Sequence, residues 1–205
     1  MARYISDIRA AVRDILRDEF VEGVDLEWKT DELNRAIAFT LGEVEQRMPY
    51  EVEDTSLTTT SDSKDVDISG ITNLIRIRKN RPVEYPVGYN PRKFRNATVF
   101  AKVMTMDINI LPSDAESLYV YCLKKHTLSD AASTLTPQIE YLLIMGVAAR
   151  AAINKGRDQL NAFNVGGVNV GPRMIKWGQD QLRDEYKPLL RHSALKDNYV
   201  GLPKD

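Results

Sequence analysis

Hydrophobic residues repeat with helical spacing at both ends of the chain and with strand spacing in its middle. Near the N-terminus, Ile5, Ile8 and Val12 fall on one face of a helix, with charged residues between them. A second helix is predicted to begin at Thr30, its N-cap, and to stop before Pro49, which cannot continue it. Because the connection between them is short, these two helices are expected to form an antiparallel pair.

The middle of the chain, residues 51–128, contains short runs that alternate between apolar and polar side chains. The run NLIRIRKN, for example, alternates Ile75 and Ile77 with arginines. Turn-forming residues separate these runs, which is typical of a small antiparallel barrel or sandwich. Basic residues outnumber acidic ones in 71–126, whereas acidic residues outnumber basic ones in 43–67. Opposite charges are therefore separated along the sequence.

Helical spacing returns after Thr136, which is predicted to cap a helix whose first residue is Pro137. Four alanines between Ala148 and Ala152 predict that a neighbouring helix approaches this one closely. The period is clear enough to indicate a helix that extends to the glycine-rich stretch near residue 161.

The last helix is predicted to follow Pro172 and to carry Ile175, Leu182 and Leu189 at heptad spacing. Beyond it, residues 191–205 show no clear period and are predicted to be extended. A tail of this kind orders when it docks on a partner, exchanging conformational entropy for contact.

Two amphipathic helices cannot bury their apolar faces alone, so the first and last helix pairs are predicted to pack together. The predicted fold class is α+β: an antiparallel helical bundle, made of the N-terminal and C-terminal helix pairs, with a small antiparallel β-barrel or sandwich inserted. The predicted divisions are an N-terminal helical hairpin at 1–50, a β-domain at 51–128, a C-terminal helix pair at 129–190 and an extended tail at 191–205.

Composition excludes several broad classes of protein. Among 205 residues, 28 Lys and Arg face 29 Asp and Glu, for a formal net charge of -1. A dedicated nucleic-acid binder usually carries a basic excess, because neutralised phosphates supply most of its affinity. The charged N-terminus lacks the apolar core of a signal peptide, and no apolar run is long enough to cross a bilayer. With Cys122 as its single cysteine, the chain is expected to fold in a reducing cytoplasm, without membrane association.

The glycine-rich stretch NAFNVGGVNVG, residues 161–171, raises the question of phosphate binding. Gly166 and Gly171 have the spacing of a phosphate-binding loop, but Pro172 and Arg173 stand where that loop needs Lys and Ser or Thr. The stretch also follows a helix, not a buried strand. We interpret it as a connection between helices that is mobile in the free subunit and ordered by a partner. The residues predicted to make that contact are Val165, Gly166, Gly167, Val168 and Val170.

The titratable residues predict no catalytic, metal or cofactor site. His126 and His192 lie far apart without ligands at metal-binding spacing, and each is interpreted as a surface residue. Cys122 alternates with tyrosines in a predicted strand and is interpreted as a buried apolar group. The DSKDVD run at 62–67 lacks the register of a calcium loop. Paired carboxylates of a glycosidase meet only in three dimensions, so the sequence leaves that alternative open.

A group of basic residues in the β-domain lies near aromatic residues, which is the mixture expected of a nucleic-acid surface. Two other interpretations are open: a solvated strand face, or contact with an acidic neighbouring subunit. The residues of this basic face are Arg76, Arg78, Lys79, Arg81, Arg92, Lys93 and Arg95.

The combined pattern resembles a known family. It includes the first helix ISDIRAAVRDIL, the run W-x-x-D-E-L-N-R-A-I from Trp28 to Ile37, and a helix that ends in Met48 and Pro49. An IxxLIRI element follows at 71–77, then a DINILP run and the closing helices. This order resembles the head-to-tail adaptor proteins of tailed bacteriophages, also called connector or head-completion proteins.

The resemblance implies a structural virion protein that is not an enzyme and needs no cofactor. It implies a dodecameric ring beneath the portal protein, assembled in the host cytoplasm, that joins the head to tail or stopper proteins. Double-stranded DNA would pass through without sequence-specific binding, and the free protein can be a monomer. By position, the tail would reach the portal through Arg191, Leu195, Tyr199 and Leu202. Two alternatives are a DNA-binding or packaging accessory protein that uses the basic face, and a peptidoglycan hydrolase with a site in the β-domain.

Overall fold

The computed structural model describes residues 4–17, 28–161 and 170–199, with side chains left undescribed at 161 and 194–199. The described residues form helices and antiparallel sheets, which confirms the predicted α+β class. Two compact units are present: residues 1–48 together with 126–205, here called the helical unit, and residues 49–125, here called the β unit. No helix among the described residues is long and apolar enough to cross a membrane.

The helical unit contains four helices within the described residues, and their ends follow local signals. As predicted, Pro137 begins the third helix and Thr136 caps it, accepting a hydrogen bond from the Ile139 amide at 3.4 Å. Pro49 follows the end of the second helix, also as predicted. The helices are α1 (Ile5–Leu16), α2 (Thr30–Arg47), α3 (Pro137–Asn161) and α4, whose consecutive parts are Val170–Asp180, the π-helical segment Gln181–Tyr186, and Lys187–Tyr199.

Helix α3 is the centre of the helical unit, because it contacts α1, α2 and α4. Its buried Leu143 and Val147 share one core with Val12 of α1 and Leu33 and Val44 of α2. A helix that packs on three others is apolar around most of its circumference, which explains the long apolar run in its sequence.

Helices α3 and α4 approach each other through small residues. A Cβ atom placed on Gly178 would lie 2.4 Å from the carbonyl oxygen of Ala149. A Cβ on Gly156 would lie 2.6 Å from the carbonyl oxygen of Gly171. The close approach predicted from the alanines is therefore confirmed. Gly171, at the end of the glycine-rich stretch, provides room for this crossing.

The buried face of α4 changes phase at the π segment. Its buried residues are Gly171, Gly178, Tyr186, Leu190 and Ser193. Gly171 to Gly178 and Tyr186 to Ser193 each follow the seven-residue repeat of a helix face, whereas the interval from Gly178 to Tyr186 has one residue more. The π segment absorbs this extra residue, since its hydrogen bonds span one residue more than those of an α-helix. Both ends of α4 consequently face the same core.

The predicted heptad face of the last helix is wrong at Leu189, which lies beyond the π segment. Ile175 and Leu182 are only half-buried, and Leu189 is 38% exposed. The π segment rotates the buried face away from the heptad positions, so Tyr186 and Leu190 occupy the core instead. The phase change depends on contacts with other helices and has no local signal in the sequence.

The extended tail predicted at 191–205 is also wrong as far as residue 199. The last part of α4, Lys187–Tyr199, is helical and continues through Pro188. Proline normally interrupts a helix because it lacks an N–H and clashes with the carbonyl four residues earlier. Here the π segment immediately before Pro188 changes that hydrogen-bond register, so the helix continues. Residues 200–205 lie outside the described part of the chain.

The β unit contains two antiparallel sheets. Their strands are β1 (Tyr50–Asp54), β2 (Asp65–Asp67), β3 (Leu74–Ile77), β4 (Val83–Glu84), β5 (Phe94–Arg95), β6 (Ala97–Phe100), β7 (Val103–Met106) and β8 (Tyr119–Lys124). In the larger sheet the strand order is β1-β8-β4-β5, with β3 also paired to β8, and in the smaller sheet it is β2-β7-β6. The described strands do not close into a barrel, so the barrel alternative of the prediction is wrong.

One apolar core serves both sheets. It contains Val66 and Met104 from the smaller sheet and Val83, Val120 and Cys122 from the larger one. The Cys122 thiol donates to the carbonyl oxygen of Val52 at 3.6 Å, and burial raises its pKa. The interpretation of Cys122 as a buried apolar group is confirmed.

The ion pair between Asp54 and Lys124 makes the stability of the β unit sensitive to acid. Their charged atoms lie 2.7 Å apart, and the Ser56 amide also donates to the Asp54 carboxylate. Burial tends to raise the pKa of Asp54, but Lys124 and Ser56 together hold it below the usual value. When folding lowers the pKa of a carboxyl group, its charged form stabilises the folded protein at pH values above the unfolded pKa of about 3.9. That stabilisation is lost as the pH falls through the lower pKa of the folded state.

We expect Asp54→Asn to lower the unfolding free energy by about 1–2 kcal/mol at neutral pH. The difference from the wild type should shrink as the pH falls below about 4, because the wild-type carboxylate then becomes protonated. Urea unfolding followed by circular dichroism at several pH values measures this, with the exposed Asp114→Asn as control. A difference that stays constant down to about pH 3 would contradict the assignment.

Candidate assembly surfaces

The predicted contact residues of the glycine-rich stretch lie mostly outside the described part of the chain. Val165, Gly166, Gly167 and Val168 fall in residues 162–169, and the predicted mobility of this loop concerns the same residues. Val170 is the first residue of α4 and is 42% exposed. It lies seven residues before Trp177 on the same face of that helix, and Trp177 is also exposed.

The predicted contact residues of the tail belong largely to α4. Arg191 is exposed on this helix, and Leu195 and Tyr199 follow within it, although their side chains are not described. Leu202 lies outside the described residues. These positions are therefore presented by a helix as far as residue 199, where an extended segment was expected.

Three residues of the predicted basic face pair within the β unit. Arg78 contacts Glu51 at 3.1 Å, and Arg92 contacts Glu53 at 3.3 Å. Arg95 donates from Nε to a backbone carbonyl oxygen at 3.1 Å. Arg78 and Arg92 thus pair with acidic residues of β1, so charges that are separated along the sequence meet within the β unit.

The other four basic residues of this face are exposed, so a partner can reach their charged groups. Arg81 lies over a phenylalanine ring, and the Lys93 ammonium lies 3.7 Å from the centre of the Tyr89 ring. Arg76 and Lys79 are exposed and form no ion pair with any residue that the structure describes. The basic face is accordingly split into paired and unpaired members.

Two glutamates of the β unit converge on Tyr121. The Tyr121 hydroxyl donates to Glu53 at 2.6 Å and lies 3.2 Å from Glu84, while Arg92 donates to the Tyr121 oxygen at 2.7 Å. Burial, followed by the Glu53 carboxylate, raises the pKa of Tyr121. The Glu84 side chain is only 3% exposed, so a polysaccharide has no access to that carboxylate. These hydrogen bonds and ion pairs link β1, β4 and β8 to the loop that carries Arg92.

His126 is buried, so its interpretation as a surface residue is wrong. Its Nε2 lies 2.8 Å from the carbonyl oxygen of Met48, and its Nδ1 lies 3.2 Å from the Thr134 hydroxyl. The ring connects the end of α2 to the segment before α3. His192 is exposed, as expected. Within the described residues, no three His, Cys, Asp or Glu side chains are grouped so that they could hold a metal ion.

A hairpin of the β unit ends in exposed apolar side chains. Strands β6 and β7 pair from Ala97 with Met106 to Phe100 with Val103, and residues 101 and 102 form the turn. Phe100 is 86% exposed, and Val99 and Val103 are partly exposed beside it. We call residues 99–103 the Phe100 tip. No local pattern in the sequence predicts that Phe100 protrudes.

The turn of the Phe100 tip has an unusual backbone. Ala101 and Lys102 both have positive φ angles, 47° and 67°, which suits a two-residue hairpin turn. Asn and Gly normally occupy such positions, because other side chains are disfavoured there. The sequence FAKV therefore lacks the usual signal for this turn.

A groove with a volume of about 560 Å³ lies between α2 and α3. Buried Trp28, Ala36 and Ala151 line it, and Phe39 stands on its rim with 62% of its surface exposed. Glu32, Arg35, Arg157 and Asp158 add charges of both signs to the lining. We call this surface the α2–α3 groove. It brings together residues that are more than a hundred positions apart.

A polar network supports the rim of the α2–α3 groove. Arg150 donates to the Thr40 hydroxyl at 3.2 Å, to the Gly146 carbonyl oxygen at 3.0 Å and to the Glu43 carboxylate. Its guanidinium also lies over the Phe39 ring, with 5.1 Å to the ring centre. Arg150 thereby fixes the exposed Phe39 against α3.

The π segment of α4 contributes Tyr186 to this network. The Tyr186 hydroxyl donates to Glu43 at 3.1 Å, and its ring lies under the Arg150 guanidinium. Burial, followed by the Glu43 carboxylate, raises the pKa of Tyr186 to about 12, so the hydroxyl remains a donor at neutral pH. Three helices therefore meet at one ion pair.

No protein-family model matches this sequence, and no curated protein matches it either. The resemblance to head-to-tail adaptors stays a prediction that depends on the quoted residues.

Proposed function

We propose that this protein is a structural assembly protein that forms a ring beneath a phage portal and joins the head to the tail. In this proposal the helices form an antiparallel bundle, and the β unit is a sandwich inserted between the two helix pairs. The ring extends the channel through which double-stranded DNA passes, and it offers a platform to tail or stopper proteins.

The observation that carries the proposal is the exposure of large apolar side chains on separate surfaces. In the β unit, Phe100 and Ile110 are 86% and 83% exposed. In the helical unit, Phe39 and Leu160 are 62% and 57% exposed. Exposed aromatic and aliphatic groups of this size are typical of protein interfaces, where they supply most of the binding energy.

Two different surfaces are what a ring subunit needs. A cyclic assembly of more than two copies uses a heterologous contact, in which one surface of each subunit meets another surface of the next. The near-zero net charge also suits a DNA conduit, since a strongly basic wall would retain the passing phosphates. The resemblance to adaptor proteins supports the same conclusion.

Negative-stain imaging of the protein mixed with its candidate portal tests the proposal. We expect rings seated on the portal, formed by the full chain and weakened by deletion of residues 191–205. Free protein that elutes as a monomer is compatible with this result, because the portal can template the ring. Failure of the full chain to bind the portal under any condition would refute the adaptor function.

Exposed Arg76 and Lys79 favour the second candidate, a DNA-binding or packaging accessory protein. That function predicts submicromolar binding to a short DNA duplex that weakens steeply with salt. Fluorescence anisotropy of a labelled duplex measures it, with Arg76→Ala and Lys79→Ala compared to the wild type. Weak binding that the two substitutions do not change would exclude this candidate.

A further inference from the structure

We propose that the Phe100 tip of one subunit inserts into the α2–α3 groove of a second copy of this chain. The inference rests on the proposed function, because it names the contact through which subunits of the ring join. The tip belongs to the β unit and the groove to the helical unit, so the contact is heterologous.

The tip has the properties of an interface anchor. Phe100 is 86% exposed, so the packing of the β unit that carries it leaves its side chain uncovered. Strand β6 is at the edge of its sheet and carries no charged residue or proline, the usual protections of an exposed edge. At the opposite edge, β2 carries Asp65 and Asp67. Only the β6 side of this sheet is therefore suited to an apolar partner.

The turn adds a second sign that the tip is functional. Ala101 and Lys102 adopt left-handed backbone angles that cost side-chain-bearing residues free energy. Strain of this kind concentrates at binding sites and switch regions. The turn places Phe100 and Val103 side by side at the end of the hairpin.

The groove is suited to receive an aromatic side chain. Its volume of about 560 Å³ lies within the range of about 300–1,000 Å³ that is typical of binding pockets. Ala36 and Ala151 line the groove together with Trp28 and Phe39, and their small side chains take up little of its volume. Aromatic rings prefer offset or edge-to-face contacts, and such pairs are frequent anchors of interfaces.

The charges around the two surfaces are complementary. Lys102 lies in the turn of the tip, and the exposed Asp67 lies close by, since the Ile68 amide donates to the Lys102 carbonyl oxygen at 3.0 Å. The groove offers Glu32 and Asp158 to a lysine, and it offers exposed arginines to an aspartate. Charges of both signs on each side fix the orientation of an interface more than they increase its affinity.

Photo-crosslinking locates the contact directly. A photoreactive benzoylphenylalanine replaces Phe100 in the full chain, which is irradiated as a concentrated solution and as rings on the portal. We expect intermolecular cross-links to α2 and α3 at the groove, identified by mass spectrometry. Cross-links that map elsewhere, or their absence from assembled rings, would overturn the proposal.

A mixing experiment tests the head-to-tail geometry. Phe100→Glu removes the tip and Phe39→Glu blocks the groove, and both positions are exposed enough for the fold to tolerate the charge. On the portal, or at concentrations where the wild type self-associates, each variant alone should assemble at least about 30-fold more weakly than the wild type, the effect of losing an interface anchor. Their mixture should form one-to-one dimers and no rings, because one intact tip and one intact groove remain.

Sedimentation velocity and circular dichroism compare these variants with Tyr141→Glu, a control at another exposed aromatic of the helical unit. The control should assemble like the wild type. If the wild type forms no rings on the portal, the adaptor function fails. If rings form with Phe100→Glu and Phe39→Glu as readily as with the control, the function stands and only the tip-in-groove contact fails.

Discussion

Gly178→Ala is expected to destabilise the helical unit by about 1–3 kcal/mol, the usual cost of overpacking a tight core. A Cβ atom at this position would lie 2.4 Å from the Ala149 carbonyl oxygen and 2.7 Å from the Ile153 side chain. The carbonyl belongs to the backbone of α3, so the helices must separate to relieve the clash. Helix propensity alone would make the alanine variant more stable than the wild type. The expected loss of unfolding free energy therefore has the opposite sign.

Gly42→Ala is the matched control in α2, because no atom beyond the neighbouring residues and backbone of its own helix lies within 4 Å of the added Cβ. Helix propensity should dominate there and raise the unfolding free energy by about 0.5–1 kcal/mol. Both tryptophans, Trp28 and Trp177, belong to the helical unit, so urea unfolding followed by their fluorescence reports on it. Stabilisation by both substitutions would show that the two helices cross less closely than described.

Arg150→Met is expected to lower the unfolding free energy of the helical unit by about 2–3 kcal/mol. The substitution keeps much of the apolar stem but removes the hydrogen bonds to Thr40, Gly146 and Glu43. The cost stays below the 3–5 kcal/mol typical of fully buried pairs, because the Glu43 side chain is 38% exposed. Loss of the guanidinium also frees the Phe39 ring at the groove.

Two further variants make this test specific. Arg150→Lys should recover only part of the stability, since a single ammonium cannot reproduce the planar fork that reaches three partners. Arg183→Met, at a solvated ion pair on α4, should unfold like the wild type. Full recovery with lysine would indicate that charge alone matters at position 150, contrary to the geometry described.

Local signals predicted where α2 ends and where α3 begins. The predicted N-cap of α2 is wrong, since Lys29 and not Thr30 precedes the helix, and α4 begins at Val170 and not after Pro172. The ends of α2 and α3 are specified by Pro49, Thr136 and Pro137, whose backbone preferences act within a few residues. The phase change in α4 could not be predicted in this way. It is specified by Tyr186, which reaches Glu43 from the opposite end of the chain.

The strands were harder to predict, because their partners are distant in sequence. Strand β1 reads YEVED and has few β-forming residues, yet it pairs with β8 along its whole length. Conversely, the β-branched run TSLTTT at 55–60 forms only an isolated bridge from Thr58 to Ser117. Strand formation depends on the available partner more than on intrinsic preference.

The candidate site was largely absent from the sequence analysis. The α2–α3 groove joins Phe39 to Asp158, and no spacing rule connects residues so far apart. The Phe100 tip was missed for a different reason, since its turn uses Ala101 and Lys102 in place of the usual Asn and Gly.

The extra residue in the π segment gives α4 an uncommon tolerance of changes in length. Removing one exposed residue, such as Asp184, would return the segment to α-helical spacing while Gly178 and Leu190 kept their orientation toward the core. The same deletion in the middle of α3 would turn everything beyond it by about 100° and expose its buried face. Related sequences can therefore differ by one residue at this point and still present the end of α4 in the same direction.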